Sequence, residues 1–259
     1  MMVPDVLCPL RFSTEIGITD GYIQRFAQGD TIRVRFNAAS RSELIVELID
    51  TVGGGIVDHL TVSEARDSMY EAVVQPLSGC YRMMARSGDY RLYSGVFRVA
   101  DDEEELSRYI VVDYGQNENE RFRFRVEGGF LSGSDTNGID NEFFRNERAE
   151  LKQLYQFPYV KSRLTVGSAT GVPGWVGTLL NAILCCEDVL IDGVPYVRSE
   201  SSVPERVKIG GERYTLFQYT VEVERYIVHF NMEIENIPVL RMIDDNLYRL
   251  ISSELLRMV

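Results

Sequence analysis

The side chains of this chain that could do chemistry are present but scattered. His59 and His229 are its two histidines, far apart and without a motif around either. HExxH, the GxSxG elbow and any local Cys-His or Ser-His signature are missing, so each histidine reads as a packed or surface residue. Carboxylates are numerous enough for a glycosidase pair, which needs two of them about 5 to 9.5 Å apart, yet the sequence sets no two across a cleft. Cys185 and Cys186 are adjacent and Cys8 and Cys80 stand alone. That is not the CxxC spacing of a zinc or redox site, and small buried thiols in a reduced setting are expected. Asp135, Asn137, Asp140 and Glu142 in GSDTNGIDNE are oxygen ligands of the calcium type, but their spacing departs from the EF-hand pattern. Gly133 to Glu142 reads as a solvated polar loop, and the residue chemistry assigns no catalytic, cofactor-binding or metal-binding residue.

Two stretches invite a ligand reading more directly. VGSATGVPGWVGTLLNAILCC, Val166 to Cys186, is rich in glycine, but a P-loop needs Gly-x4-Gly-Lys-Ser/Thr. Gly167, Gly171 and Gly174 are spaced otherwise, and no lysine or arginine occurs between Leu164 and Cys186. A membrane span fails as well, because Pro173 leaves about 21 Å of helix to Cys186 against a hydrocarbon core of about 30 Å. What remains is a turn and a helix over 173–186 with Pro173 at its first position. Val176, Leu179, Leu180 and Ile183 form its buried stripe, and Trp175 packs beside them. The second stretch, RFRFR, sets Phe122 and Phe124 on one strand face and Arg121, Arg123 and Arg125 on the other. Glu118, Glu120 and Glu127 flank it, which favours inter-subunit or cross-strand ion pairs over phosphate binding.

The elements around these residues are mainly strands. DTIRVRF alternates Ile32, Val34 and Phe36 with polar partners, and SELIVELID does the same with Leu44, Val46 and Leu48. Met69–Val74, Cys80–Arg86, a Ser87-Gly88-Asp89 turn, Tyr90–Tyr93 and Gly95–Val99 follow, the turn spacing of an antiparallel sandwich. DDEEE, Asp101 to Glu105, is a block of like charge and a candidate boundary. SRYIVVDYG and RFRFRVEGGF resume the strands, and Arg148 to Val166 reads as extended. VLIDGVPYV predicts a type I′ hairpin on Asp192-Gly193, with Pro195 at an edge or bulge. In YTLFQYTVEVER the buried face is Phe217, Tyr219, Val221 and Val223. Ile243, Leu247, Leu250, Ile251 and Leu255 at spacings of three and four predict an amphipathic helix over 241–259, with Asp244 and Asp245 in its first turn. The expected class is mainly β (α+β): an antiparallel β-sandwich (1–103), a second β-rich domain with one packed helix (104–226), and a C-terminal extension with an amphipathic helix (227–259).

Composition bounds the partners. The chain has 259 residues, with 27 Lys plus Arg against 39 Asp plus Glu and a net charge of −12. Such a balance repels nucleic acid and anionic lipid heads, so a DNA reader is not expected. The start, MMVPDVLCPLRF, lacks the basic and apolar regions of a secretion signal.

The order of elements in RAELKQLYQFPYVKSRLTVG, GVPGW opening a helix, the DG hairpin, YVRSESSVPE and YTLFQYTVEVE carries a resemblance. This run, 148–224, resembles β-rich tail and neck structural proteins of tailed bacteriophages and prophages of gut Bacteroides-type hosts, including crAss-like phages. The preceding GCYRMMARSGDYRLYSGVFRVAD looks like the sandwich domain that usually comes before it, so the resemblance spans about residues 1–226. It implies a virion protein, made in the bacterial host cytoplasm, that self-associates into a ring or collar and stacks on adjacent tail or neck proteins. It implies no catalytic residue and no cofactor. An acidic ring would let DNA slide through its lumen, and the unmatched C-terminal helix would dock on a neighbour. The rival readings are a carbohydrate-binding or adhesion sandwich, which one patch of exposed aromatics would favour, and a glycan hydrolase.

Overall fold

The computed structural model describes residues 2–16, 22–38, 44–66, 68–116, 120–145, 149, 151–200, 202–209, 215–226, 239–243, 246–251 and 254–257. Lys152 and the residues from Tyr226 onward are described by their backbone only. The chain divides into two compact units, one of Met1–Ile139 with Tyr159–Arg225 and one of Asp140–Pro158 with Tyr226–Val259.

The first unit begins with β1 (Val3–Pro4), β2 (Phe12–Ser13), β3 (Gln24–Ala27), β4 (Ile32–Asn37), β5 (Leu44–Asp50), β6 (Ile56–Leu60), β7 (Val62–Arg66), β8 (Met69–Val74), β9 (Gly79–Ser87), β10 (Tyr90–Ser94) and β11 (Phe97–Ala100). β1, β4, β8 and β7 form a four-stranded antiparallel sheet. Opposite it, β9 pairs with β5 along one side and with β10 and β11 along the other. Ile32, Val34, Phe36 and Ala72 from the first sheet and Leu44, Val46, Leu48, Met83, Ala85 and Phe97 from the second close one core. This is the sandwich that period-two alternation predicts. The pairing of β11 with β3 departs from an all-antiparallel plan: the two run parallel, register Phe97↔Gln24 to Ala100↔Ala27. The larger sheet is therefore mixed.

The acidic block lies between Val99, the last buried residue of the first core, and Ile110, the first of the second. It winds into a short helix, α1 (Glu103–Leu106), whose N-cap Asp102 accepts from the Glu104 N–H at 2.8 Å. The acids sit where the positive end of the helix dipole stabilises them.

Beyond it come β12 (Tyr109–Gly115), β13 (Phe122–Phe130), β14 (Thr136–Arg145), β15 (Leu151–Val166), β16 (Val172–Pro173), α2 (Gly174–Ile183), β17 (Asp188–Ile191), β18 (Val194–Pro195), β19 (Val197–Arg198), β20 (Glu205–Ile209) and β21 (Leu216–Tyr226). A second cluster of buried residues forms here, with Tyr114, Phe122, Phe124, Leu164, Ile183 and Val223 among its members. Phe122 and Phe124 are buried as their alternation predicts. The hairpin is as expected: Asp192 and Gly193 have φ of 49° and 78°, and Pro195 lies in β18, whose sole strand partner among the described residues is β17.

The helix needs a one-position correction. Pro173 is the N-cap, with extended ψ of 162°, rather than the first helical residue. The helix ends at Ile183 instead of 186, because the last turn tightens: Cys185 N–H bonds to Ala182 O and Cys186 N–H to Ile183 O. Its stripe of Val176, Leu179, Leu180 and Ile183 is buried, as expected. Gly177 is what lets α2 sit against β21, since a Cβ there would meet the Tyr219 ring at 2.2 Å.

The second unit holds the largest correction. In place of a helix over 241–259 there are β22 (Val239–Ile243), β23 (Asn246–Ile251) and β24 (Glu254–Arg257), one antiparallel sheet. Ile243 pairs with Asn246 and Ile251 with Glu254, leaving two residues in each connection. Asp244-Asp245 and Ser252-Ser253 stand at those positions in the sequence and lie outside the described residues. Polar dipeptides between short runs rich in Ile, Val, Leu and Tyr are hairpin composition, and the three-and-four spacing coincided with it.

Candidate interaction surfaces

The RFRFR arginines all find carboxylates within their own chain, at Asp30, Asp113 and Asp188. Arg123 grips Asp113, its cross-strand neighbour, at 2.7 and 2.8 Å and reaches Asp30 at 3.1 Å. Arg125 holds the same Asp30 at 2.9 Å, and Arg121 pairs with Asp188 at 2.5 Å. Asp30 is 3% exposed. Burial alone would raise its carboxyl, but hydrogen bonds from Arg125, the Ala27 N–H and Arg123 outweigh that and hold it below the usual aspartate value. Glu120 instead meets Arg35 and Arg66 at 3.4 Å, and buried Glu127 accepts from the Thr170 N–H at 3.2 Å. Glu118 lies outside the described residues. The stripe is thus a cross-strand lock joining β13 to β12 and to the residues after β3.

The remaining candidates resolve in the same structural direction. His59 pairs through Nδ1 with Glu47 at 3.1 Å, while His229 lies outside the described residues. All four cysteines are free thiols; Cys8 is buried and its thiol is pushed up to about 12 by desolvation, whereas Cys185 is exposed. Gly167 and Gly171, both with φ of 76°, press against the backbone and side chains of β21 at Phe217 and Leu216, and present no lysine to a phosphate. Trp175 packs edge-on against Tyr22 and Phe124 at 5.9 and 6.4 Å. The loop 133–142 is a loop only in its first part. Asp135 accepts from the Ser162 hydroxyl at 2.7 Å, while Asn137, Asp140 and Glu142 belong to the extended strand β14. Among the described residues no three His, Cys, Asp or Glu side chains gather as a metal site, and no helix is long and apolar enough to cross a membrane.

Two surfaces in the first unit are open to a partner. One is a groove of about 660 Å³ over β15 and β21, floored by Thr165, Gln218 and Thr220 and rimmed by Ser199, Ser202 and the Arg163–Glu222 ion pair. Its lining is polar and contains no aromatic ring. The other is the edge of β20, whose hydrogen-bonded neighbour among the described residues is β21 alone. Val203 and Val207 stand 59% and 61% exposed there.

Apolar exposure is also concentrated along β14 and β15. Ile139, Phe143, Phe144, Leu151, Leu154 and Tyr155 are all exposed, and nine of the ten β14 residues are exposed, with Gly138 half-buried. Large apolar side chains on β14 and on the first residues of β15, Leu151 to Tyr155, which neither core uses, are the composition of a contact surface. Reading the sequence alone left this surface out. The signal was the Phe143-Phe144 pair, because neighbours in a strand point to opposite faces and no single core can take both.

No protein family model matches the chain, and no curated protein does.

Proposed function

We propose that the chain is a non-enzymatic structural subunit of a tailed-phage virion, a tail or neck ring protein that assembles by self-association and stacks on neighbouring rings. The observation that carries the self-association is the apolar exposure on both faces of β14 and of the start of β15, Ile139, Phe143, Phe144, Leu151, Leu154 and Tyr155. Left in water, such exposure favours aggregation; covered by partners, it supplies interface core. The virion role rests on the order of elements from 148 to 224, and the net charge of −12 suits a lumen through which DNA slides. Its test is the mass of the purified chain in solution, negative-stain imaging, and co-purification with virions. Rings, or the chain found in virions, are expected. A chain that stays monomeric, never enters virions and binds glycans would overturn the reading.

The second reading is a carbohydrate-binding module. What favours it is the set of exposed aromatics, Phe143, Phe144 and Tyr155, together with the hydroxyl- and amide-lined groove over β15 and β21. Saturable glycan binding lost on Gln218→Ala or Tyr155→Ala would select it.

A further inference from the structure

The edge strands of the first unit are not equally guarded. The pairing of β6 with β5 carries a register shift at Leu48/Ile49, and that of β7 with β8 one at Glu64/Arg66. Irregularities of this kind blunt an edge against further pairing. β20 has none: five consecutive residues, Glu205 to Ile209, pair in unbroken register with Thr220 to Leu216. Its side chains are exposed from Glu205 to Lys208 and half-buried at Ile209. A regular, open edge is a template for one more strand.

The edge also states what that strand should look like. With a two-residue period, Arg206 and Lys208 share one face, while Glu205, Val207 and Ile209 share the other. The complementary strand has two acids two residues apart, with apolar or neutral residues between and beside them. β14 has that pattern: Asp140 and Glu142 on one face, Ile139, Asn141 and Phe143 on the other. In antiparallel register Arg206 faces Glu142, Lys208 faces Asp140, Val207 faces Asn141 and Ile209 faces Ile139. In parallel register the two ion pairs exchange partners and Val207 still faces Asn141.

We propose that β14 of one copy adds to the open edge of β20 in a second copy. The inference rests on the self-association reading above and names its contact. Donor and acceptor are different surfaces, so the contact is head-to-tail, and repetition closes into a ring where the rotation allows. Backbone pairing supplies the affinity, and the two opposed charge pairs fix the register.

The test uses the full chain and sedimentation velocity across a concentration series. Arg206→Glu with Lys208→Glu, or Asp140→Lys with Glu142→Lys, is expected to raise the concentration needed for assembly about tenfold or more. All four substitutions in one chain should restore it, since each charge again meets its opposite. Mixing Val207→Cys chains with Asn141→Cys chains under oxidation should give an inter-chain disulfide between those positions, mapped by mass spectrometry. That measurement leaves the charges intact, so it reads the contact even where a reversal fails to fold. If the native chain assembles while the reversals leave assembly unchanged and no 207–141 cross-link forms, the strand addition is wrong and self-association stands. If the native chain neither assembles nor enters virions, self-association itself fails and the strand addition falls with it.

Discussion

β13 and β14 follow one another in the chain, and each sets a pair of phenylalanines beside charged residues, Phe122 and Phe124 in one and Phe143 and Phe144 in the other, yet the pairs are used in opposite ways. In β13 the phenylalanines alternate with arginine, so Phe122 and Phe124 point to one face and are each 1% exposed. In β14 they are neighbours, so they point to opposite faces, and Phe143 and Phe144 are 47% and 44% exposed. The charges divide likewise. The arginines of the RFRFR stripe are bound to Asp30, Asp113 and Asp188 within the chain. β14's Asp140 and Glu142 are exposed. Both strands set phenylalanines among charged residues; the spacing of the rings decides whether they enter a core or a contact surface.

The sharpest break of this comparison is a matched truncation. Phe124→Ala empties a fully buried site and is expected to cost about 3–5 kcal/mol. Phe144→Ala removes an exposed ring and should change stability by no more than about 0.5 kcal/mol while weakening assembly. Denaturant midpoints for both, with sedimentation for the second, decide the matter. Equal destabilisation would mean that Phe144 is core and that the contrast is false.

Next in size is the charge at the centre of the β13 lock. Asp30→Asn leaves Arg123 and Arg125 facing a neutral group in a buried setting, with an expected cost of about 3 kcal/mol. The pH dependence follows from the direction of its shift. The folded carboxyl lies below the unfolded one, so the folded state binds fewer protons at acid pH, and stability falls as pH drops below about 4. Above that value the Asp30 contribution is fully present. Urea midpoints at pH 7 and pH 3 should show a smaller acid loss in Asp30→Asn than in the native chain. An equal loss in both would assign the acid sensitivity to other carboxylates.

The sequence foretold those parts of the fold that local period and turn chemistry determine. The burial of Ile32, Val34 and Phe36, the Asp192-Gly193 turn and the inner face of β21 each depend on residues within a few positions of one another. What could not be read depends on distant partners. Asp30 meets Arg125 across 95 positions, and the parallel pairing of β3 with β11 joins segments more than 70 positions apart. The C-terminal strands failed for another reason: a leucine-rich run with polar dipeptides satisfies both a 3.6-residue period and short hairpins. Of the candidate surfaces, the Phe143-Phe144 pair was visible as a signal. The open β20 edge was not, because an edge is defined by the strand that is missing beside it.

The smallest expected effect tests whether charge pairs outside the buried lock matter at all. Arg163 and Glu222 meet at 3.3 Å on the rim of the polar groove, with side chains 49% and 47% exposed. Water screens such a pair, and fixing two long side chains offsets most of the Coulomb gain, so Arg163→Ala should cost less than about 1 kcal/mol. Asp30 differs because its carboxylate is shut away from solvent and has no water to replace a lost guanidinium. A double-mutant cycle on Arg163 and Glu222 should give a coupling near zero at 0.15 M salt, and one on Arg123 and Asp30 a clearly larger value. Comparable couplings would show that burial is not what distinguishes the β13 lock from the groove rim. A large Arg163–Glu222 term would then mark that rim as a preorganised part of a binding groove, the outcome most favourable to the glycan reading.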